Sequence, residues 1–437
     1  MAETSIASNP TLRDMVGTVS GGPAWASSLR ASAAERFAEI GFPTRRDEDW
    51  RVTPIAPIVE TVFTRAPGQA TEDDVASYTY AGLTGSQLVF INGHYAPHLS
   101  SLNTLPPGVR VTTLAEALRV NLPGLDTHLG RLASFRAEAF VALNTAALAD
   151  GALIHIPRNA VVDEPIHLLF IASAEGQATV SHPRTLIIAD EHSQATVIES
   201  FVGPAGQTYL TNAVTEVVVG DGAVIDHYKV QQESLAAFHV ATMQVQLGKG
   251  SNFASHSIGF GGSIVRNDAN AVLAGEGSEC TLNGLYRANG RQLVDNHTSI
   301  DHAMPHCDSH EVYKGILDGH ARGVFNGKIF VRIDAQKTDA KQTNKTLLLS
   351  PDAQINTKPQ LEIFADDVRC THGATIGQLS ADALFYLRAR GIPEAQARDL
   401  LIYAFASDIA SRVKVEAVRA YLDRALLAER ALDGLDA

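Results

Sequence analysis

From about residue 152 onward the chain is written in short runs where apolar and polar positions alternate. ALIHIPRNAVVDEPIHLLFIAS, HPRTLIIADEHSQATVIESFVG, YLTNAVTEVVVGDGAVIDHYKVQQE and FHVATMQVQLGKGSNFASHSIGFGG follow one another, each rich in β-branched residues and closed by Gly, Asp or Asn. Successive strand side chains face opposite sides, so this alternation predicts half-buried strands. Turn signals return roughly every 8–12 residues, the rhythm of an all-β domain. The rhythm continues through LNGLYRA, EVYKGILDGHARGVFNGKIFVR and QTNKTLLLSPDAQINTKPQLEIFADDV. Within GILDGHARGVFNGKIFV, Gly315, Gly319, Gly323 and Gly327 fall at a four-residue step. That step predicts imperfect solenoid repetition, with glycines at the corners of stacked strands. A parallel β-helix fits best, and a jelly roll is the alternative that periodicity alone leaves open.

The flanks carry a different period. In AWASSLRASAAERFAEIGFP, Trp25, Leu29, Ala33, Phe37 and Ile40 recur every three to four residues, which predicts an amphipathic helix ended by Gly41 and Pro43. TRRDEDWRVTPI reads as an arm kept extended by Pro54 and Pro57, with Trp50 anchoring it to the body. QLVFINGHYAP predicts a strand, a turn at Asn92-Gly93 and a second extended piece. Residues 114–125 and about 128–149 read as helical, and Asp150-Gly151 as a turn at a boundary. After Gln378 the helical period returns: SADALFYLRARG with Ser380 as N-cap, a second helix after Pro393, and a third through KVEAVRAYLDRALLAERAL. The expected organisation is residues 1–151 helical and mixed, 152–378 a β-helix, and 379–437 helical. The helical tail reads either as a docking surface or as a cap over the solenoid's last strand.

Composition narrows the function. The 437 residues hold 45% hydrophobic and 19% charged residues, with a net charge of −13. Such an acidic chain lacks the basic face that nucleic acid requires. Its opening stretch, MAETSIASNPTLRDM, has no apolar core like that of a signal peptide, and no stretch approaches a membrane span. Cys280, Cys307 and Cys370 are far apart, without CxxC spacing, so a reducing, cytoplasmic setting is expected. Three cysteines cannot wrap a four-cysteine cluster unaided. No GxxxxGK[ST], GxSxG or HExxH occurs, so ATP hydrolysis, serine-hydrolase chemistry and zinc-protease chemistry have no motif here.

Two stretches carry candidate chemistry. In LEIFADDVRCTHGAT, residues 361–375, Cys370 and His372 lie two apart. On a strand they project together with Val368, while Arg369 and Thr371 face away. A thiolate beside an imidazole is a soft metal or sulfur site; the plainer reading is a buried cysteine beside a hydrogen-bonded histidine. In NHTSIDHAMPHCDSHEVYKG, the residues His302, His306 and His310 would share a face of a helix, with Cys307 and His297 nearby. Pro305 and the strand-like surroundings favour polar residues along the solenoid instead. Asp366 and Asp367 raise a β-helix carbohydrate-active enzyme, a lyase or glycosidase, as an alternative. Adjacent acids point opposite ways in a strand, so a turn is expected there.

The run from about 310 to 408 carries YKGIL, NGKI, Q–N–LLLS, K-P-LEI-ADDV-C-HGAT-G and FYLRARGI in order. It resembles the SufB/SufD family of iron–sulfur cluster assembly proteins; in the N-terminal part the DEDWRVTPI arm matches best. The HGAT ending and the cysteine-poor N-terminal part resemble the SufD branch. The resemblance implies a right-handed parallel β-helix between an N-terminal helical region and C-terminal helices. It implies a non-enzymatic scaffold that pairs with a SufB-like paralogue or with itself. It also implies that the C-terminal helices dock a SufC-like ABC ATPase. Iron acquisition, and a transient cluster shared with the partner chain, would involve Cys370 and His372, on which the family's C-x-H-GAT motif falls. Some complexes of the family bind reduced flavin, for which no residue is assigned.

Overall fold

The computed structural model describes residues 14–17, 19, 21–174 and 176–428. Most of the opening stretch, and the last residues of the third C-terminal helix as read from sequence, lie outside them. Among the described residues, twenty strands form two ten-stranded sheets. Sheet I runs from His94–Tyr95, beside Ser86–Ile91, to Arg369–Gly377, and sheet II from Arg110–Thr113 to Gln354–Ile363. Each turn of the coil gives a strand to each sheet, and strands of successive turns stack parallel and in register. Val224–Glu233, for example, sets Tyr228 beside Ile198 on one side and His256 on the other. This is a parallel β-solenoid, as the alternation predicted. A hairpin fold such as a jelly roll would have given antiparallel neighbours.

Stacking in register turns alternation into columns. Ile225, Phe253 and Cys280 lie one above another in sheet I, facing Val245, Ala271 and Ile300 of sheet II across the interior. Each buried Ile, Phe or Val side chain among them contributes roughly 1.5–3 kcal/mol of transfer free energy. Of the four spaced glycines only Gly319 turns a corner, at φ 60°. Gly315, Gly323 and Gly327 lie inside strands Asp308–Leu317 and Arg322–Val331. A Cβ at Gly315 would fall 2.5 Å from the Tyr286 ring, and one at Gly327 would fall 2.3 Å from the Gln342 amide. These glycines make room for neighbouring rungs rather than for bends.

The first turns are closed off. His94–Tyr95 pairs antiparallel with Ser86–Ile91 through the turn at Asn92 and Gly93, both at positive φ. Arg110–Thr113 pairs antiparallel with Ala152–Ile156. Helix Ala24–Ile40 ends at Gly41 as expected and buries Phe37 with Phe140 over the outer face of sheet II. The arm is strapped to that face. The Trp50 ring stacks 5.4 Å from Phe140 and lies under the Arg266 guanidinium at 4.5 Å. Arg266 donates to Asp295 at 2.7 Å, and Thr53 donates to the same carboxylate at 2.5 Å. Burial works to raise the Asp295 carboxyl, but Arg266 and His297 hold it down to about 2.

Three local expectations are corrected. Residues 128–149 do not form one helix; helical structure is confined to Leu125–His128 and Ala139–Ala146. The intervening amides of Gly130, Leu132 and Ala133 donate instead to the buried Glu216 carboxylate, at 2.8, 2.8 and 3.0 Å. The helix expected over 114–125 stops at Arg119. Pro57 does not keep the arm extended; it sits in the first turn of helix Ala56–Glu60, where its missing N–H costs nothing.

Helices Ala381–Ala389, Glu394–Ala410 and Glu416–Ala428 follow the last strand, the first capped by Ser380 as predicted. They do not cap the last strand. Ile409, Val418 and Leu422 pack sideways on Tyr228, Ile258, Leu285 and Ile316, the outer face of sheet I. Lys314 donates to the Phe405 carbonyl at 2.9 Å and pairs with Asp408 at 2.8 Å. No helix among the described residues is long and apolar enough to cross a membrane.

Candidate functional site

The last turn is the open end of the solenoid. Arg369–Gly377 pairs with Asp339–Leu348 on one edge and ends sheet I on the other. Gln354–Ile363 likewise ends sheet II. Edge strands present unpaired backbone groups. Beside them Ile333, Ile363, Phe364 and Ile376 are exposed, Ile333 by 68%.

Cys370 and His372 both lie on this final strand, with Cys370 beside Ala340 and His372 beside Gln342. Their Cα atoms are separated by two strand rises, about 6.6 Å along the strand, and their side chains share its inner face. Cys370 is half-buried against the cluster of Ile329, Val331, Ala335, Ala340 and Ala365, with Val368 alongside. Burial pushes its thiol up; the Ala340 backbone N–H lowers it and Asp339 raises it further. The thiol therefore stays protonated until a metal or electrophile displaces the proton. His372 is exposed. The two form a soft donor pair at a surface, with space beyond them that no part of the described chain covers.

The second histidine stretch does not converge. His302 is buried and hydrogen-bonds the Ser309 hydroxyl at 2.9 Å. Burial holds its imidazole down, to about 4, so it stays neutral. His306 turns a corner at positive φ, and His310 is exposed on the outer face of its strand. Cys307 is buried, its Sγ 3.3 Å from the Gly275 carbonyl. Asp366 and Asp367 form the expected turn, with Asp367 paired to Lys337. Among the described residues no three His, Cys, Asp or Glu side chains are grouped to hold a metal ion.

Reading along the chain missed the interior partners of the last turn. Glu311 and Gln342 share a column with His372, one rung apart each time. Gln342 donates to Glu311 at 2.8 Å. The signal was a rung length of about 30 residues, which aligns 311, 342 and 372 once strands are stacked rather than read in succession.

Comparison with known proteins agrees with this architecture. Residues 170–405 match the family model described as SUF system FeS cluster assembly, SufBD core domain, and residues 20–168 match the SufBD protein N-terminal region. An iron–sulfur cluster assembly SufBD family protein of Synechocystis is 34% identical over 403 residues, spanning 90% of this chain and 88% of the relative. The iron–sulfur cluster assembly protein SufD of Escherichia coli is 31% identical over 389 residues, 88% of each chain. SufD of Bacillus subtilis is 25% identical over 412 residues, 92% of this chain and 93% of the relative. With both family regions in sequence order on a solenoid of this length, the chain belongs to the SufBD family of iron–sulfur cluster assembly proteins.

Proposed function

We propose that this chain is a non-catalytic, cytoplasmic scaffold subunit of the SUF system whose last turn supplies half of a site for iron or a nascent cluster. A second SufBD-type chain, SufB-like or another copy of this one, supplies the other half. The C-terminal helices seat a SufC-like ABC ATPase. The observation that carries the reading is the donor pair Cys370 and His372 on an unpaired final strand. Thiolate and imidazole both ligate iron in biological clusters. Two donors do not complete a four-coordinate iron, so the remaining ligands come from across an interface. A site divided between two chains opens when they separate, which suits a cargo that must be handed on. His372 is the better ligand of the two, since its ring is exposed while Cys370 also packs against the solenoid end.

Reduced flavin held by the assembled complex is compatible with this reading, and no residue of this chain is assigned to it.

The test is His372→Ala in the chain co-expressed with its SufB-like and SufC-like partners. Iron and acid-labile sulfide per complex should fall severalfold while the thermal transition of the chain stays in place. Cys370→Ser should give a smaller loss. Unchanged iron loading in His372→Ala would remove the ligand role.

A further inference from the structure

The interior of the solenoid is divided lengthwise. One half is the apolar set of columns already described. The other half is polar: Glu199, Lys229 and Ser257 stack in sheet I, while Asn267 and Asn296 stack in sheet II. At its inner end the charged groups Glu199 and Lys229 are partnered. Glu199 accepts from Thr185, Thr215 and His227 at 2.6, 2.9 and 3.0 Å. Lys229 donates to Asn267 and lies 5.5 Å from the Phe201 ring centre.

Toward the last turn the partnering runs out. Asn296 Nδ2, Glu311 Oε1, Gln342 Oε1 and Asn344 Nδ2 have no hydrogen-bond partner within the chain, and none of these residues is more than 3% exposed. An unmet buried polar atom costs about 1–3 kcal/mol. Four on adjacent rungs therefore point to a ligand. Two are donors and two are acceptor oxygens, so the ligand must both accept and donate. An ion meets one kind only; water meets both.

There is room for water along this half from Lys229 as far as Asn296. The cavity at Lys229 is about 30 Å³, and a second of about 10 Å³ shares Ser257, Asn267 and Tyr313 with it and reaches Asn296. A water needs roughly 10–15 Å³ of such space. The file also has an exit. Gln342 and Asn344 lie beside His372 and Ala374 on the final strand, both exposed.

We propose that the polar half of the interior is a hydrated proton path, a file of water molecules running from the Lys229 cavity to the open last turn, with Glu311 as its proton-exchanging group. The Glu311 O–H bond breaks, the proton passes to the adjacent water and along the file to solvent, and a carboxylate stays behind; uptake is the reverse. The groups flanking Glu311 leave that role to it. Gln342 donates to its other carboxyl oxygen, and burial drives the Cys280 thiol and Tyr313 phenol up so that both stay protonated. Burial raises the Glu311 carboxyl to about 7 and lowers the Lys229 ammonium to about 8, so both ends of the file exchange protons near neutrality.

Infrared spectroscopy of the full chain tests the path without reading iron at all. At pH 6 a protonated-carboxyl band should be present and should vanish in Glu311→Gln. On mixing with D2O that band should shift within seconds, and Asn344→Leu, which plugs the file, should slow the shift at least tenfold. A Glu311 band that exchanges only with the slowest core amides, or no such band at pH 6, would overturn the proposal. Loss of iron loading in His372→Ala leaves this result untouched, so the two readings fail separately.

Discussion

Glu216 is a residue whose loss the fold tolerates poorly. Its carboxylate is fully buried, accepts from Arg184 at 2.6 Å and holds the amides of Gly130, Leu132 and Ala133. Glu216→Ala would leave the buried Arg184 guanidinium without its counter-charge, with only Asn144 and Thr145 accepting from it, and three amides without an acceptor, a loss of about 3–5 kcal/mol. Urea unfolding of the isolated chain should show it as a lowered midpoint, with Glu216→Gln intermediate. Glu311 makes a prediction with pH. Its folded value, about 7, lies above the ordinary 4.5, because burial disfavours the charged form. The native state therefore holds a proton that the unfolded chain releases across that window. Its contribution is fully present below about pH 4.5 and is lost as pH rises through about 7. The slope amounts to at most about 3 kcal/mol. Glu311→Gln should flatten stability against pH between those values; an unchanged slope would place the group elsewhere. At this scale sequence showed what lies close in the chain. Cys370 and His372 were visible because two residues of one strand share a face. Glu311, Gln342 and Glu216 were not, because their partners lie a rung or more away.

At the scale of elements, alternation was enough to find the strands, since stacking buries one face of nearly every run. The helical period found Ala24–Ile40 and the three C-terminal helices for the same reason. It failed over 128–149, where a tertiary acceptor captured the amides that a helix would have used. The C-terminal helices divide into two kinds. Glu394–Ala410 and Glu416–Ala428 are anchored to sheet I, with Lys414 pairing with Asp226 at 2.9 Å. Ala381–Ala389 buries none of its residues and leaves Phe385 and Tyr386 72% and 57% exposed. Aromatic side chains at this exposure are typical anchors for a partner. Phe385→Asp with Tyr386→Asp should abolish pull-down of a SufC-like ATPase while circular dichroism and the thermal transition stay put. Retained pull-down would move the docking surface to the anchored helices.

For the molecule as a whole, the two ends of the solenoid are built differently. The first turn is closed by antiparallel strands and covered by helices, whereas the last presents two free edges bordered by exposed Ile363, Phe364 and Ile376. A solenoid needs a terminal cap against edge-to-edge association. Here helices Glu394–Ala410 and Glu416–Ala428 lie along the side, and among the described residues no strand pairs with the free edges. A second solenoid meeting this end would pair backbone with backbone and bury the apolar residues around it. It would also bring its own donors to Cys370 and His372. A stable interface of this kind buries roughly 1,600 Å² in total, much of it from the final strands and the Ile333 turn. Ile363→Glu combined with Ile376→Glu puts charge on both free edges, at the exposed ends of the columns that continue inward through Val331 and Thr346. Light scattering of the purified chain should then fall from a paired mass to a single chain, and co-purification with a SufB-like partner should fall with it. A double variant that keeps its paired mass would place the interface elsewhere, and the donor pair on the last strand would then face solvent rather than a partner's ligands.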